Sequence, residues 1–321
     1  MKSLVYVLIP LLASAACNKK SDKSGTQSPP SLNTIDVLPG KGGAPTSPVA
    51  GSVTTLPAAL TVTAQDFECD ALDYGIYWFG KGEMAQKASS KTTSTFYDPT
   101  KPTMIYIHGW QAGSHLFKKR ATFNYSKADP FEGPKVDAAD AWIDAGWNIG
   151  IFYWNQFGDE TKVKDAEDKV WEDKSVTWQN CAGKALTTGV PKGSVADLLF
   201  SNYSEVMKGY TGPEVRLAGH SLGNQLVTRL AAKAADASKA GTIDAHLVPK
   251  RVALLDPFWS AALGGESRGA AARALITPLK AQGMIFEMYK TSDITDSVLA
   301  DSNEELAALI GRTNYDLTYY S

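Results

Sequence analysis

Leu217-Ala218-Gly219-His220-Ser221-Leu222-Gly223-Asn224 is the stretch that decides how this chain folds. Residues 214–218 lead into it as a strand-like run, and Leu226, Val227, Leu230 and Ala231 follow at helical spacing. The pattern Gly-x-Ser-x-Gly then predicts a strand, a tight turn and a helix, with Ser221 at the turn. Gly219 and Gly223 omit side chains where strand and helix close on one another. A hydroxyl on such an elbow stands clear of the sheet edge, which is the placement a nucleophilic serine needs. A glycine-rich turn with an idle serine would share the pattern.

On either side of the elbow, from Val62 onward, strands alternate with helices. Residues 75–80 (GIYWFG), 103–108 (TMIYIH), 147–154 (WNIGIFYW), 214–218, 251–255 (RVALL) and 284–289 (MIFEMY) read as strands. Several are apolar almost throughout, as expected when both faces of a parallel sheet are covered. Residues 136–145 and 194–208 read as helices, the second with Ser194 as cap, Val195, Leu198, Leu199, Tyr203 and Val206 on one face, and Gly209 past its end. This order predicts an α/β fold whose mostly parallel sheet is flanked by helices. With 321 residues, 44% of them apolar, the chain can bury one large core. A formal net charge of −2 supplies no global field for nucleic acid, so none is expected as a partner.

The first 61 residues stand apart. Lys2, an apolar run over 4–12 and the small residues Ala13-Ser14-Ala15-Ala16 precede Cys17. This resembles a bacterial lipoprotein signal, with residues 1–16 removed and Cys17 lipidated. Ser14 stands where a larger aliphatic residue is usual, and an ordinary secretory signal with an incidental cysteine is the alternative. Residues 17–61 are rich in Ser, Thr, Gly, Pro and Lys and cannot build a core. A flexible chain of that length reaches roughly 35 Å. The expectation is a disordered tether holding the domain of residues 62–321 to a membrane of the bacterial cell envelope. In an exported chain Cys69 and Cys181 are a candidate disulfide, with two separate buried thiols as the alternative. No metal-ligand spacing of His and Cys is evident, and neither metal nor cofactor is expected.

Ile107-His108-Gly109-Trp110 ends one strand, and Leu254-Leu255-Asp256-Pro257-Phe258-Trp259 ends another. In open parallel sheets, sites gather at the carboxyl ends of strands, where Ser221 also stands. With IHGW, GHSLG and LLDPFW in that order, residues 103–289 resemble the α/β-hydrolase superfamily, and pancreatic-type (triacylglycerol) lipases in particular. The resemblance implies an α/β-hydrolase fold and a serine hydrolase of lipase or esterase type, cleaving an ester or lipid substrate through an acyl-enzyme. It makes Ser221 the nucleophile, the N–H groups of Leu222 and Trp110 the oxyanion hole, and Asp256 the acid that orients a histidine. Asp293 and Asp296, one strand later, compete with Asp256 for that role. His108 is implied to brace the turn, and His220 to point away from the substrate.

One part of the pattern is missing. In this fold the triad histidine follows the acid. The four histidines here are 108, 115, 220 and 246, all before Asp256. His246 precedes the segment 251–256, which spans roughly 18 Å as a strand, so it belongs at the opposite sheet edge. His115, in the loop after IHGW, lies on the correct edge and is the one of the four that could serve as the base. Residues 315–321 read as one more strand. Either a histidine-bearing loop lies beyond them in a longer chain, or the fold has lost its base and is a non-catalytic binding protein. The loop 111–134 holds Leu116, Phe117, Phe123, Tyr125 and Phe131, which with Phe157, Phe258 and Trp259 are candidate walls of an acyl pocket or a lid. Lys118-Lys119-Arg120 reads as a solvated face. Oligomeric state is left open.

Overall fold

The computed structural model describes residues 62–63, 67, 69–92, 94–118, 120–124, 136–174, 176–260, 267–290 and 303–310. The signal, Cys17, the tether, Lys119, Tyr125, Phe131, Asp293, Asp296 and the strand read over 315–321 lie outside them. The strands are β1 (Val62–Thr63), β2 (Gly75–Gly80), β3 (Met84–Lys87), β4 (Thr103–Ile107), β5 (Asn148–Tyr153), β6 (Trp178–Gln179), β7 (Ala185–Leu186), β8 (Val215–His220), β9 (Arg251–Leu255) and β10 (Ile285–Tyr289). The helices are α1 (Ser114–Phe117), α2 (Ala138–Asp144), α3 (Asn155–Gly158), α4 (Val163–Trp171), α5 (Val195–Val206), α6 (Gly223–Lys239), α7 (Arg268–Ala281) and α8 (Glu304–Ile310).

One sheet has the order β1-β3-β2-β5-β4-β8-β9-β10. Its half from β5 to β10 is parallel throughout. Strand β2 turns antiparallel against β5 and β3, and β1 against β3. This mostly parallel, helix-flanked sheet, with a serine elbow after β8, is the α/β-hydrolase fold. Alternation along β4 shows how both faces are filled: Ile105 and Ile107 join Leu199, Leu226 and Leu230 on one side. Met104 and Tyr106 join Phe123, Ala138 and Ala139 on the other. Helix α5 opens with a capping box, Ser194 and Asp197 each bonding the other's backbone N–H. Among the described residues no helix is long and apolar enough to cross a membrane.

Arg120 is not solvated, contrary to the sequence reading of its basic run. Its guanidinium pairs with Asp73 at 2.9 Å and lies 4.2 and 4.0 Å from the ring centres of Tyr77 and Tyr153. A buried charge needs this combination of counter-ion and aromatic faces. The aromatic residues of the loop also divide. Phe123 packs edge-on to Phe79, and Phe157 and Trp259 are buried in the core, so none of the three walls an open pocket. Leu116 and Phe117 are each 71% exposed.

Cys69 and Cys181 are joined, 112 residues apart, and tie the segment before β2 to the β6–β7 hairpin. Gln156 reinforces the junction: its Nε2 donates to the carbonyls of Cys69, Ala71 and Gln179. Closing so long a loop is worth ~4–5 kcal/mol on the chain-entropy account. Reduction should therefore move the urea midpoint of unfolding down by that equivalent. Two free thiols in unreduced peptide maps would contradict the bond.

Candidate active site

The elbow is built by close backbone contact. Ser221 sits at φ +51°, in the left-handed region, between β8 and α6. A strained φ at a non-glycine residue needs surroundings that hold it. A Cβ on Gly219 would run into the Gly223 carbonyl, and one on Gly223 into the carbonyls of Ile107 and His108. Elbow and β4 thus interlock with no room for a methyl group. Gly109 completes the contact, since a Cβ there would lie 2.9 Å from both the His220 carbonyl and the Ser221 Cβ. The turn carrying Trp110 therefore rests directly on Ser221, and the Leu222 N–H opens the helix beside it.

Asp256 stands in the next strand's corresponding place. His220 is in register with Leu255, and Leu255 with Tyr289, so Ser221, Asp256 and Lys290 follow in a row across β8, β9 and β10. Asp256 is itself at φ +45°. Asn224 clamps the two together. Its Oδ1 accepts from the Leu255 N–H at 3.0 Å, and its Nδ2 donates to the carbonyls of Leu255 (2.8 Å) and Ser221 (3.0 Å). The loop after Asp256 is held just as firmly. Asn303 donates to the Pro257 carbonyl, Gln225 to the Phe258 carbonyl, and the buried Glu167 accepts from the Ser260 N–H. Sequence reasoning missed Asn224, Gln225, Glu167, Asn303 and Lys290. The available signal was two amides, Asn224 and Gln225, beside the apolar stripe of an amphipathic helix.

All four histidines have a place, and none bridges Ser221 to Asp256 by a hydrogen bond. His108 is buried; its Nδ1 donates to the Gly109 carbonyl, its Nε2 accepts from the Trp154 N–H, and its ring stacks on Trp154. Both nitrogens are thus committed to the turn, and burial pushes the imidazole down to about 3. His220 is buried under the turn, its Nδ1 with no hydrogen-bond partner. Burial lowers it to about 4, against a smaller pull from the Asp256 charge. His246 bonds the Gly212 carbonyl at the amino end of β8, as expected of the far edge. His115 is on the near edge but turns to Asp159, whose Oδ2 accepts from its Nδ1 at 2.6 Å and from its N–H at 2.8 Å. The neighbouring Glu160 carbonyl receives the Trp110 indole N–H at 2.7 Å, so Asp159 and Glu160 anchor the loop that bears Trp110. Among the described residues no three His, Cys, Asp or Glu side chains gather as a metal site would require.

The depressed values of His108 and His220 set an acid limit on stability. Both are neutral when folded and bind protons readily when unfolded, so the unfolded state gains protons first as pH falls. Stability should be full above about pH 6.5, the ordinary histidine value. It should fall as pH drops below that value and level off only below about 4 and about 3, where the folded rings also take up protons. Urea unfolding at pH 7 and pH 4.5 checks this, and equal stability at both would contradict it.

No family model matches the chain, and no curated protein matches it. Among solved structures it is similar to a thioesterase domain from the curacin biosynthetic pathway, with 15% identity and a TM-score of 0.25. That likeness covers 66% of this chain and 55% of the other, so the chain spans about half the length of that domain. The fold assignment rests on strand order and elbow rather than on this likeness.

Proposed function

We propose that the chain is a serine hydrolase of lipase or esterase type that cleaves carboxylic esters through an acyl-enzyme on Ser221. The observation that carries this reading is the interlocked elbow: Ser221 at φ +51°, Gly109 against it, and Asp256 beside it in register. Attack by Ser221 Oγ on the ester carbonyl would put negative charge on the carbonyl oxygen. The N–H groups of Leu222 and Trp110 would stabilise that charge. The Oγ proton must pass to a base and then to the departing alcohol, and water would release the acyl group. Asp256 would orient that base, which the reading requires from outside the four histidines. The test is hydrolysis of p-nitrophenyl esters with imidazole added to the buffer as base. Rescue in the wild type and none beyond background in Ser221→Ala is the expected outcome; equal rates in both would refute it.

The placement of the histidines favours a second reading, a hydrolase-fold binding protein that performs no catalysis. Under it, imidazole rescues nothing, and no serine adduct forms under any condition.

We further propose, on residues 1–61 alone, that Cys17 is lipidated and the domain tethered to a membrane of the cell envelope. Cys17→Ser should release the protein from the membrane fraction or leave it unprocessed. Wild-type protein found soluble with a free N-terminus near residue 17 would defeat the idea.

A further inference from the structure

Strand β10 brings a lysine to the end of the row. Lys290 directly follows Tyr289, and its Nζ lies 3.6 Å from Asp256 Oδ1. The two side chains are only 4% and 12% exposed. The backbone repeats the tie, the Asp256 N–H donating to the Tyr289 carbonyl at 2.6 Å. We propose that Lys290 is a positioning residue of the serine site, whose ammonium supplies the counter-charge to Asp256 and fixes its aim beside Ser221. The inference rests on the reading of Asp256 as the acid.

The physical need is plain. A carboxylate taken out of water either finds a counter-charge or takes up a proton. A protonated Asp256 could not stabilise a cation forming on a neighbouring base. Among the described residues, the other charged groups around the row pair elsewhere or face water. His220, from β8, is neutral above about pH 4. On β9 and β10, Arg251 and Glu287 pair with each other. On α8, Glu305 pairs with Arg273, and Glu304 is exposed. On α7, Lys280 donates to the carbonyls of Leu309 and Ile310. Among the described residues, Lys290 is thus the cation placed on Asp256. The sequence hides this role, because a lysine after an apolar strand reads as an ordinary solvated end.

The test follows the Asp256 carboxyl carbon by NMR in full-length protein labelled with [13C]aspartate, assigned by Asp256→Asn. In Lys290→Gln the titration midpoint should rise by about one pH unit or more, a tenfold or greater gain in proton affinity. Lys290→Arg, which keeps the charge, should leave the midpoint near the wild-type position. If Lys290→Gln fails to fold, Lys290→Met serves in its place. The acid limb of imidazole-rescued turnover should shift upward with the midpoint, with kcat reduced and KM little changed. An unmoved midpoint in the folded neutral variant overturns the proposal. Because the carboxyl signal needs no turnover, absence of any rescue would sink the serine reading alone and leave the Lys290 result standing.

Discussion

A chain of these 321 residues should hydrolyse p-nitrophenyl butyrate on the order of a millionfold more slowly than a serine hydrolase with its triad complete. The reason lies in the proton. Ser221 Oγ must lose one as it attacks, and the ring nitrogens of His108 and His115 face the Gly109 carbonyl and Asp159 instead. On the proposed reading the N–H groups of Leu222 and Trp110 and substrate binding would remain, and alone they would sustain roughly 10³–10⁴ over water. In this state Ser221→Ala should change the rate little, because a serine without its base adds little to that residue of catalysis. Steady-state rates of both proteins check the expectation. Brisk turnover that Ser221→Ala abolishes would show that another group takes the proton, and His115→Ala would then be the variant to make.

The second large effect is on the elbow itself. Gly223→Ala places a methyl group against the carbonyls of Ile107 and His108, the latter at 2.7 Å. Neither can give way without pulling β4 out of its pairing with β8, where Ile107 is opposite Gly219. Overpacking against a flexible side chain costs about 1–3 kcal/mol, and against fixed backbone the loss should reach about 3 kcal/mol or more. Gly241→Ala is the control: a Cβ there meets nothing within 4 Å, and only its positive φ of 71° is strained. Urea unfolding should show Gly223→Ala as the more damaged of the two. Equal stabilities would mean that elbow and strand are not interlocked as described.

What the sequence revealed depended on how local each signal was. Apolar runs such as 75–80 and 251–255 became strands with those bounds, since a strand buried on both faces has little choice of composition. Ser194 announced α5 because a cap is a local bond. Helix α7 went unread: Pro278 lies inside it and its apolar stripe is weak, and packing on α6 and α8 explains its place. The row Ser221–Asp256 was legible through two short motifs. Lys290, Asn224 and Asn303 were not, because their roles are fixed by partners 34, 31 and 46 residues away that only the folded sheet brings near. Arg120 misled for the same reason. Beside two lysines it reads as surface, and its aromatic cage comes from β2 and β5.

The central claim, that Ser221 is a nucleophile on a preformed elbow, is tested most directly by a fluorophosphonate probe read out by peptide mapping. Without added base the 321-residue chain should label hardly at all, because the probe needs the same activated hydroxyl. With imidazole supplied, or with a chain extended by a histidine, the adduct should form on the peptide containing Ser221 and vanish in Ser221→Ala. Failure of any adduct to form on Ser221 under both conditions would contradict the account.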